Sequence, residues 1–511
     1  MNDNTIYSEI ILSKTNIEIP VFKSGKTVDS RYDPERESLR LLEQINSDTH
    51  FLIVIGIASG IFINTILENK KDIFIIGVEK SNKDIEFLKK LQLIKQFSNN
   101  KQVLLCTIDE LTDKIIEFYI PAFYGNLQVI EQRGWTAENL DCIEKINKSI
   151  NKATGIVSAD FSVQSHFGKL WQHNIFSNLK HIQELSDIQN ITPNNKTAVI
   201  VAAGPTIDDT IKLILDNKDD YYIIATDTAF SILNSYNIIP QAVVSIDGQN
   251  ISNIHFIHNN SYEFNQTLFL FDLCANSSAI TKVINNKGKI CFFTSGHPFC
   301  EYINKTFNLG FPSLFSGAGT VTISAVDFAI KAGFEKIIVT GADFSYSKGK
   351  PYAKGTYLDR LYNQKSNRIQ GIQNKFSTLE FRTELIKDNK RYTTSVLQAY
   401  RTSFETYLIN NNFEFKKQTD LYKIFFNKNE NVFQYKKTNT INGQQILNEL
   451  QRIYKSKTTD KTFNSIFDLS DSDISLLPLI SWLRNHDNKD KNDFLYYYQK
   501  AVLFCRDLGG N

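Results

Sequence analysis

The residues best suited to hold a ligand follow a short β-branched segment, Thr197 to Ala202. This segment predicts a buried strand, and the Gly204-Pro205 pair ends it. Thr206 can cap the helix that follows. A strand–turn–helix junction of this kind leaves backbone N–H groups at the helix start, which suits a phosphate group. The alternative is an ordinary turn that binds nothing, and a single Gly-Pro turn does not decide between the two.

A second candidate is a loop of small residues that leads into an apolar helix. Small residues let a ligand approach the backbone closely, and the amides at the helix start can hold an anion. The strand KIIVTG follows, and Asp343 lies just beyond its carboxyl end, where open α/β sheets bind ligands. The two stretches together predict a nucleotide or nucleotide-sugar site. Its candidates in this loop are Ser316, Gly317, Gly319 and Thr320.

Residues 1–190 predict a smaller α/β domain that starts with a β-hairpin over residues 1–30. A strand, a turn with Gly56 and Gly60, a helix and a second strand follow. The second strand ends in Glu79, at the spacing of a ribose-binding acid, and the pattern is also typical of a methyltransferase. However, the third glycine is missing and a bulky isoleucine follows the first. The pattern therefore favours a structural unit over a cofactor site.

Composition excludes several classes of protein. The formal net charge of the 511 residues is only +2, which does not favour a nucleic-acid partner. The six cysteines form no C-x-x-C pair, so no metal ligands are predicted, and scattered cysteines are typical of a reducing compartment. Neither a signal peptide nor a membrane-spanning run is evident. We therefore expect a cytoplasmic protein.

Three domains are expected, with an α/β fold overall. The polar linker SDIQNITPNNKT marks the first boundary, so that the N-terminal domain covers residues 1–190 and the central domain residues 191–365. Residues 366–511 predict a mainly helical region for packing, acceptor recognition or oligomerisation. Its helices are expected at residues 392–408, 441–454, 476–484 and 494–508.

Several motifs in order resemble the motility accessory factor family. They are VIVAAGPTIDD, IIATDTAFSILNSYNIIPQAVVSIDGQN, SGAGTVTISAVDFAIKAGFEKIIVTGADFSY and PYAKGTY. Members of this family are bacterial glycosyltransferases that attach nonulosonic acids, such as pseudaminic and legionaminic acid, to Ser or Thr of flagellin. Their central domain is similar to bacterial sialyltransferases that use CMP-activated sugars. The resemblance implies a Rossmann-like, sialyltransferase-type central domain, a CMP-nonulosonic acid donor, flagellin as partner and a role in flagellar assembly and motility.

The resemblance also implies which residues form the site. Asp343 and Asp247 are implied as catalytic acids, and Tyr352 stands near the place where many relatives have a histidine. No histidine lies between His297 and His486, so Asp343 is the expected proton acceptor. The residues expected to bind the nucleotide sugar are Gly204, Pro205, Thr206, Thr226, Asp227, Ser316, Gly317, Gly319, Thr320 and Tyr346.

The proposed chemistry needs stabilised phosphate charge, negative charge near a cationic sugar centre and a proton acceptor. Asp247 or Asp343 could lie near the sugar centre, and Tyr346 or Tyr352 could orient groups or relay a proton. The cations Lys348, Lys350, Lys354 and Arg360 could hold the sugar carboxylate, or they form a solvated face. Whether the reaction uses a divalent metal, and whether the protein forms a homo-oligomer, stays open.

Two other functions remain open. A pterin diphosphokinase family has a similar central domain and would transfer phosphoryl groups with Mg–ATP. The missing histidine also allows a non-catalytic protein that binds flagellin during assembly.

Overall fold

The structure is a computed structural model. It describes residues 5–188, 191, 193, 196–257, 261–317, 319–347, 350–388, 391–418, 421–425, 433–436, 442–457, 462–487 and 494–509. The chain forms two compact units, residues 1–169 with 454–505 and residues 170–453 with 506–511. The expected domain boundaries at 190 and 365 stay predictions, and residue 190 lies outside the described residues.

The first unit contains the expected hairpin and a four-stranded parallel sheet. Its strands are β1 (Tyr7–Leu12), β2 (Glu18–Phe22), β3 (Thr49–Ile55), β4 (Phe74–Glu79), β5 (Val103–Thr107) and β6 (Asn126–Glu131). β1 and β2 pair antiparallel, and the sheet order is β5-β4-β3-β6. The helices up to the end of the long α8 are α1 (Pro34–Leu42), α2 (Ile61–Asn69), α3 (Asn82–Leu88), α4 (Gln92–Phe97), α5 (Leu111–Phe118), α6 (Pro121–Tyr124), α7 (Arg133–Glu138) and α8 (Leu140–Leu179).

Glu79, at the end of β4, is held inside the first unit by hydrogen bonds from the protein. The carboxylate is fully buried and accepts hydrogen bonds from the Ile57 amide (2.8 Å), the Tyr7 hydroxyl (3.1 Å) and Trp135 Nε1 (2.9 Å). Trp135 also packs against Gly56, where an added Cβ would lie 2.6 Å from its side chain. Both oxygens of Glu79 thus accept hydrogen bonds from within the protein, which supports the structural interpretation of this unit.

The second unit is built on an eight-stranded sheet. Its strands are β7 (Thr197–Val201), β8 (Tyr221–Thr226), β9 (Ala242–Ser245), β10 (Leu268–Asp272), β11 (Lys289–Phe293), β12 (Lys336–Thr340), β15 (Glu414–Gln418) and β16 (Leu421–Phe425), with a separate hairpin of β13 (Ile386–Asp388) and β14 (Arg391–Thr393). The sheet order is β11-β10-β9-β8-β7-β12-β16-β15, and β7 to β12 run parallel. β-branched and aromatic residues fill these strands because both faces are covered.

Helices alternate with the parallel strands, as the sequence predicts: α9 (Ile207–Asp216), α10 (Asp227–Ser235), α11 (Ser261–Gln266), α12 (Ser277–Asn285), α13 (Pro298–Thr306) and α14 (Val321–Lys331). The helices after the last parallel strand are α15 (Tyr357–Lys365), α16 (Ile372–Glu380), α17 (Ser395–Asn410), α18 (Gly443–Ser456), α19 (Asp471–Ile474), α20 (Leu477–His486) and α21 (Phe494–Gly509). Of these, α19, α20 and most of α21 belong to the first unit. The α/β fold with parallel sheets and a mainly helical C-terminal region is confirmed. Among the described residues, no helix combines the length and apolar character needed to cross a membrane.

Candidate functional site

In the parallel sheet, β8 to β11 follow one another on one side of β7, whereas β12 lies on its other side. The chain order thus reverses between β7 and β12, and open α/β sheets bind ligands at such a switch point. The two strand ends approach each other closely there. The Gly204 amide donates to the Gly341 carbonyl (2.8 Å). A Cβ at Gly204 would lie 2.4 Å from that carbonyl oxygen, and a Cβ at Gly341 would lie 2.3 Å from the Ala202 oxygen. Glycine is therefore required on both sides of the crossing.

The Gly204–Thr206 turn uses its amides within the protein. Thr206 is 2% exposed, and its amide donates to Asp343 Oδ2 (3.1 Å) while its hydroxyl donates to Asp343 Oδ1. A carboxylate of the protein thus lies at the start of α9, where the sequence predicted a phosphate. The amides of Gly204 and Thr206 do not form a free phosphate cradle in this arrangement, because both have partners. A nucleotide-binding role for Gly204, Pro205 and Thr206 stays a prediction.

The ends of β8 and β9 bring a second carboxylate into the sheet edge. Asp227, directly after Thr226, is 3% exposed. Its Oδ2 accepts from the Ser245 hydroxyl (2.8 Å), and its Oδ1 accepts from the amide (2.6 Å) and hydroxyl (3.1 Å) of Thr228. These donors satisfy a buried charge and fix Asp227 in one orientation.

Asp247 lies beyond the end of β9. Its Oδ1 accepts from the Gln249 amide (2.9 Å) and its Oδ2 from the Ser252 hydroxyl (2.7 Å). Burial raises the pKa of this carboxyl, and the charge of Asp227 adds to the increase. Asp247 is therefore a better proton acceptor than an ordinary aspartate, while it keeps its loop in place.

Several tyrosines lie close enough to these acids to be affected by their charge. Burial is the main cause that raises the pKa of Tyr352 to about 12, and Tyr357, Asp227, Tyr346 and Tyr400 contribute through charge. The charge of Asp247 likewise raises the pKa of Tyr357 and of Tyr400 after burial. The phenol of Tyr352 is consequently neutral at physiological pH and can donate a hydrogen bond to an anion.

His255 is the residue that sequence reasoning missed. It is 5% exposed and its ring lies edge-on against Tyr357, with the ring centroids 4.9 Å apart. Its positive form would lower the pKa of Asp247. Among the described residues, His255 Nδ1 is buried without a hydrogen-bond partner. The histidine lies upstream of Asp343 in the sequence, whereas the family pattern directed attention downstream. An isolated histidine in NISNIHF gave no signal by itself.

The hydrogen bonds around His255 assign its proton. The Thr228 hydroxyl donates its single hydrogen to Asp227, so its oxygen can only accept from His255 Nε2, which lies 3.4 Å away. The neutral ring then carries its proton on Nε2 and a lone pair on Nδ1. Asp227, Thr228 and His255 thus form a carboxylate–hydroxyl–imidazole chain that ends in an unpaired base.

The second small-residue loop is placed by α14 and α17. Gly319 and Thr320 donate through their amides to the Ser316 carbonyl (3.1 and 3.2 Å). Gly317 has φ +54°, and a Cβ there would lie 2.7 Å from Ser403 Oγ on α17. Ser403 is one helical turn from Tyr400 along α17, so one helix carries neighbours of both this loop and the tyrosine cluster.

The remaining site candidates make ordinary structural contacts, are exposed, or lie outside the described residues. The Tyr346 amide donates to the Tyr392 carbonyl (2.6 Å), and Arg360 contacts the Ile257 carbonyl (3.4 Å). Lys354 is exposed. Lys348 lies outside the described residues.

Comparison with known proteins gives three kinds of similarity. Residues 173–349 match the family model described as 6-hydroxymethylpterin diphosphokinase MptE-like. The chain as a whole is similar to the solved MAf glycosyltransferase from Magnetospirillum magneticum AMB-1, with 10% identity, a TM-score of 0.48, and coverage of 99% of this chain and 87% of that one.

Curated relatives come from Treponema pallidum (strain Nichols), and the two described first are uncharacterized proteins 37% identical to this chain. The first match covers 144 residues, 27% of this chain and 51% of the relative, so this chain spans about half the length of that relative. The second covers 142 residues, 28% of this chain and 67% of the relative. This chain therefore belongs to one family with the second Treponema pallidum protein, and its residues 173–349 match the MptE-like domain.

Proposed function

We propose that the protein is a glycosyltransferase that moves a nonulosonic acid from a CMP-sugar to Ser or Thr of flagellin in the cytoplasm. The proposal rests on one observation above all. Asp227, Asp247, Tyr352 and His255 gather beyond the carboxyl ends of parallel strands. The family motifs in the sequence support the choice of donor and of acceptor.

The donor phosphate is proposed to bind at the start of α14 and not at the start of α9. The first turn of α9 contains Asp208 and Asp209, and Asp343 already lies against Thr206. The first turn of α14 contains no acidic residue. Because a helix N-terminus attracts anions, the loop from Ser316 to Thr320 is the more favourable place for the phosphate. The neutral phenol of Tyr352 could donate to the leaving phosphate.

Three groups would then divide the chemistry. The bond between the sugar and the phosphate breaks, and the negative charge of Asp247 stabilises the cationic sugar centre. The acceptor hydroxyl forms the new bond to the sugar and gives its proton to His255 Nδ1, the unpaired base. The hydroxyl of Thr228 and the carboxylate of Asp227 hold the imidazole in the required tautomer.

Intact-mass analysis of flagellin tests this proposal. Purified protein, CMP-pseudaminic or CMP-legionaminic acid and monomeric flagellin should give a mass increase of one or more sugar residues. Deletion of the gene should remove the same mass from flagellin in cells. Unchanged flagellin mass in both experiments would refute the proposal.

Phosphoryl transfer to a pterin is the second candidate, because the matching family model is described as MptE-like. Incubation with Mg–ATP and 6-hydroxymethylpterin should leave the pterin unchanged if the glycosyltransferase proposal is right. Formation of the pterin diphosphate would favour this candidate instead. A protein that binds flagellin but shows neither activity would indicate the non-catalytic assembly role.

A further inference from the structure

Two cysteines and a histidine come together beyond the ends of β10 and β11, at residues that the proposed reaction does not use. Cys274 Sγ and Cys300 Sγ lie 3.3 Å apart. One ligand atom from each of Cys274, His297 and Cys300 lies within 4.8 Å of the others. The sequence did not indicate this group, because its residues fall in two short segments, 272–274 and 297–300, with 22 residues between them. Neither segment contains the C-x-x-C pair that is typical of metal sites.

Two buried polar atoms in this neighbourhood have no partner among the described residues: His297 Nε2 and Asp272 Oδ2. Asp272 is 1% exposed, and its other oxygen accepts from the Cys274 amide (2.7 Å). An unsatisfied buried carboxylate oxygen and an unsatisfied ring nitrogen beside two thiols are costly unless a further group joins them.

We propose that Cys274, His297 and Cys300 bind a zinc ion, whose fourth position is left to a water molecule or to a small shift of Asp272. Two sulfurs and one nitrogen match the ligand preference of zinc, whereas magnesium and calcium prefer oxygen ligands. Two Zn–S bonds at the tetrahedral angle place the sulfurs about 3.8 Å apart, so the observed pair needs to open by only about 0.5 Å.

Zinc binding through His297 Nε2 changes one existing contact. The Phe299 amide now donates to His297 Nδ1 (3.2 Å). A neutral ring that binds a metal through Nε2 carries its proton on Nδ1, so Nδ1 would no longer accept a hydrogen bond from the Phe299 amide. The ring is otherwise held by Trp171, which lies edge-on to it at a centroid distance of 5.4 Å.

The zinc would stabilise the loop that supports Asp247. Asn174 Nδ2 on α8 donates to the Cys274 carbonyl (3.0 Å) and to the Gly248 carbonyl (2.9 Å). The Asn276 amide donates to the Asp247 carbonyl (3.0 Å). Fixing Cys274 would therefore help to fix the backbone carbonyls of Asp247 and Gly248. The metal role is structural and does not depend on which reaction the protein performs.

Metal analysis of the full-length protein tests the proposal. Protein purified without chelators should contain about one zinc per chain by inductively coupled plasma mass spectrometry. The variants Cys274→Ser and Cys300→Ser should contain at most roughly one tenth of the zinc of the wild-type protein. Cys291→Ser is the matched control, because Cys291 is equally buried on β11 and its thiol donates to the Phe292 carbonyl. Its zinc content should equal that of the wild type.

The wild-type protein alone gives a second readout if the variants fail to fold. After zinc is exchanged for Co²⁺, thiolate-to-cobalt charge-transfer absorption should appear. Zinc-loaded protein should also protect Cys274 and Cys300, relative to chelated protein, from alkylation. Wild-type protein that binds neither metal overturns the proposal, and so does zinc retained in a Cys274→Ser/Cys300→Ser double variant. Peptide mapping that finds a Cys274–Cys300 disulfide would overturn it in favour of a redox pair.

Discussion

Thr206 holds Asp343 across the switch point of the central sheet, with its amide on one carboxylate oxygen and its hydroxyl on the other. The contact joins the turn after β7 to the loop after β12, over 137 residues of sequence. The same carboxylate that the family resemblance implies as catalytic therefore stabilises the fold at the position of the predicted site.

Asp343→Asn should lower the free energy of unfolding by about 1–3 kcal/mol. The amide that replaces the carboxylate can accept from only one of the two donors, so one buried donor loses its partner. Thr206→Val, which keeps the size but removes the hydroxyl, should cost a similar amount. Urea unfolding of both variants and of the double variant measures this, and the double variant should cost less than the sum.

Activity separates this structural role from catalysis. If Asp343 only positions the turn, both variants lose flagellin glycosylation in proportion to their lost stability. The alternative outcome is that Asp343→Asn keeps full stability but loses sugar transfer, while Thr206→Val stays active. That outcome would identify Asp343 as the proton acceptor that the sequence predicted.

Gly341→Ala should be among the more destabilising single substitutions in the second unit. Its φ is +70°, and the added Cβ would lie 2.3 Å from the Ala202 carbonyl oxygen, a backbone atom that cannot move alone. We expect a loss of about 3 kcal/mol or more. Gly155→Ala is the matched control: Gly155 lies inside α8 with no neighbour within 4 Å, so alanine should stabilise by about 0.5–1 kcal/mol. Thermal unfolding that ranks the two variants in the opposite order would contradict the crossing described for β7 and β12.

The stability of the first unit should fall between about pH 4.5 and pH 7. Burial raises the pKa of Glu79 from 4.5 to about 7. In this interval the folded state keeps a proton that the unfolded state has released, so the free energy of unfolding falls as pH rises, by about 3 kcal/mol in total. Glu79→Gln should weaken this dependence. It should not abolish it, because burial also raises the pKa of Asp29 to about 7.

Trp135→Phe provides the comparison for this pH effect. The indole N–H donates to Glu79 and lowers the pKa of its carboxyl, so its removal should move the decline to higher pH. Denaturant unfolding at several pH values checks both variants. Identical pH dependence in wild type and Glu79→Gln would show that Glu79 keeps its charge on folding.

His255→Gln should lower the rate of sugar transfer by about 10²- to 10⁴-fold, because it removes the proposed proton acceptor. Binding of CMP, measured by calorimetry, should stay unchanged. His173→Gln, on the exposed side of α8, is the control and should transfer at the wild-type rate. An active His255→Gln enzyme would leave the glycosyltransferase proposal intact and refute only this role.

Local patterns in the sequence predicted most elements, because helix starts, glycine turns and β-branched strands are local signals. Asp33 caps α1 through the Arg36 amide, directly before Pro34 at the first helical position. In the same helix Leu39 is 51% exposed, while Ser38 is buried. Side chains on a short helix are buried according to where its neighbours pack, which periodicity does not specify.

Contacts between distant segments could not be predicted. The residues of β15 and β16 mix lysines with aromatic side chains, and only their pairing with β12 makes them strands of the central sheet. In the same way, the path from Asp227 through Thr228 to His255 depends on how β8 and the 3₁₀ helix Asn250–Phe256 meet. Nothing in the sequence indicates that Asp227, Thr228 and His255 form one hydrogen-bonded chain.

The pairing of β16 with β12 determines how a fragment of this protein should behave. β12 pairs with β7 on one side and with β16, residues 421–425, on the other. A fragment that stops at residue 365, where the sequence suggested a domain end, would leave the backbone of β12 without this cover. Exposed strand edges pair with other molecules, so such a fragment should aggregate, and an expression plan for the central sheet has to extend past Phe425.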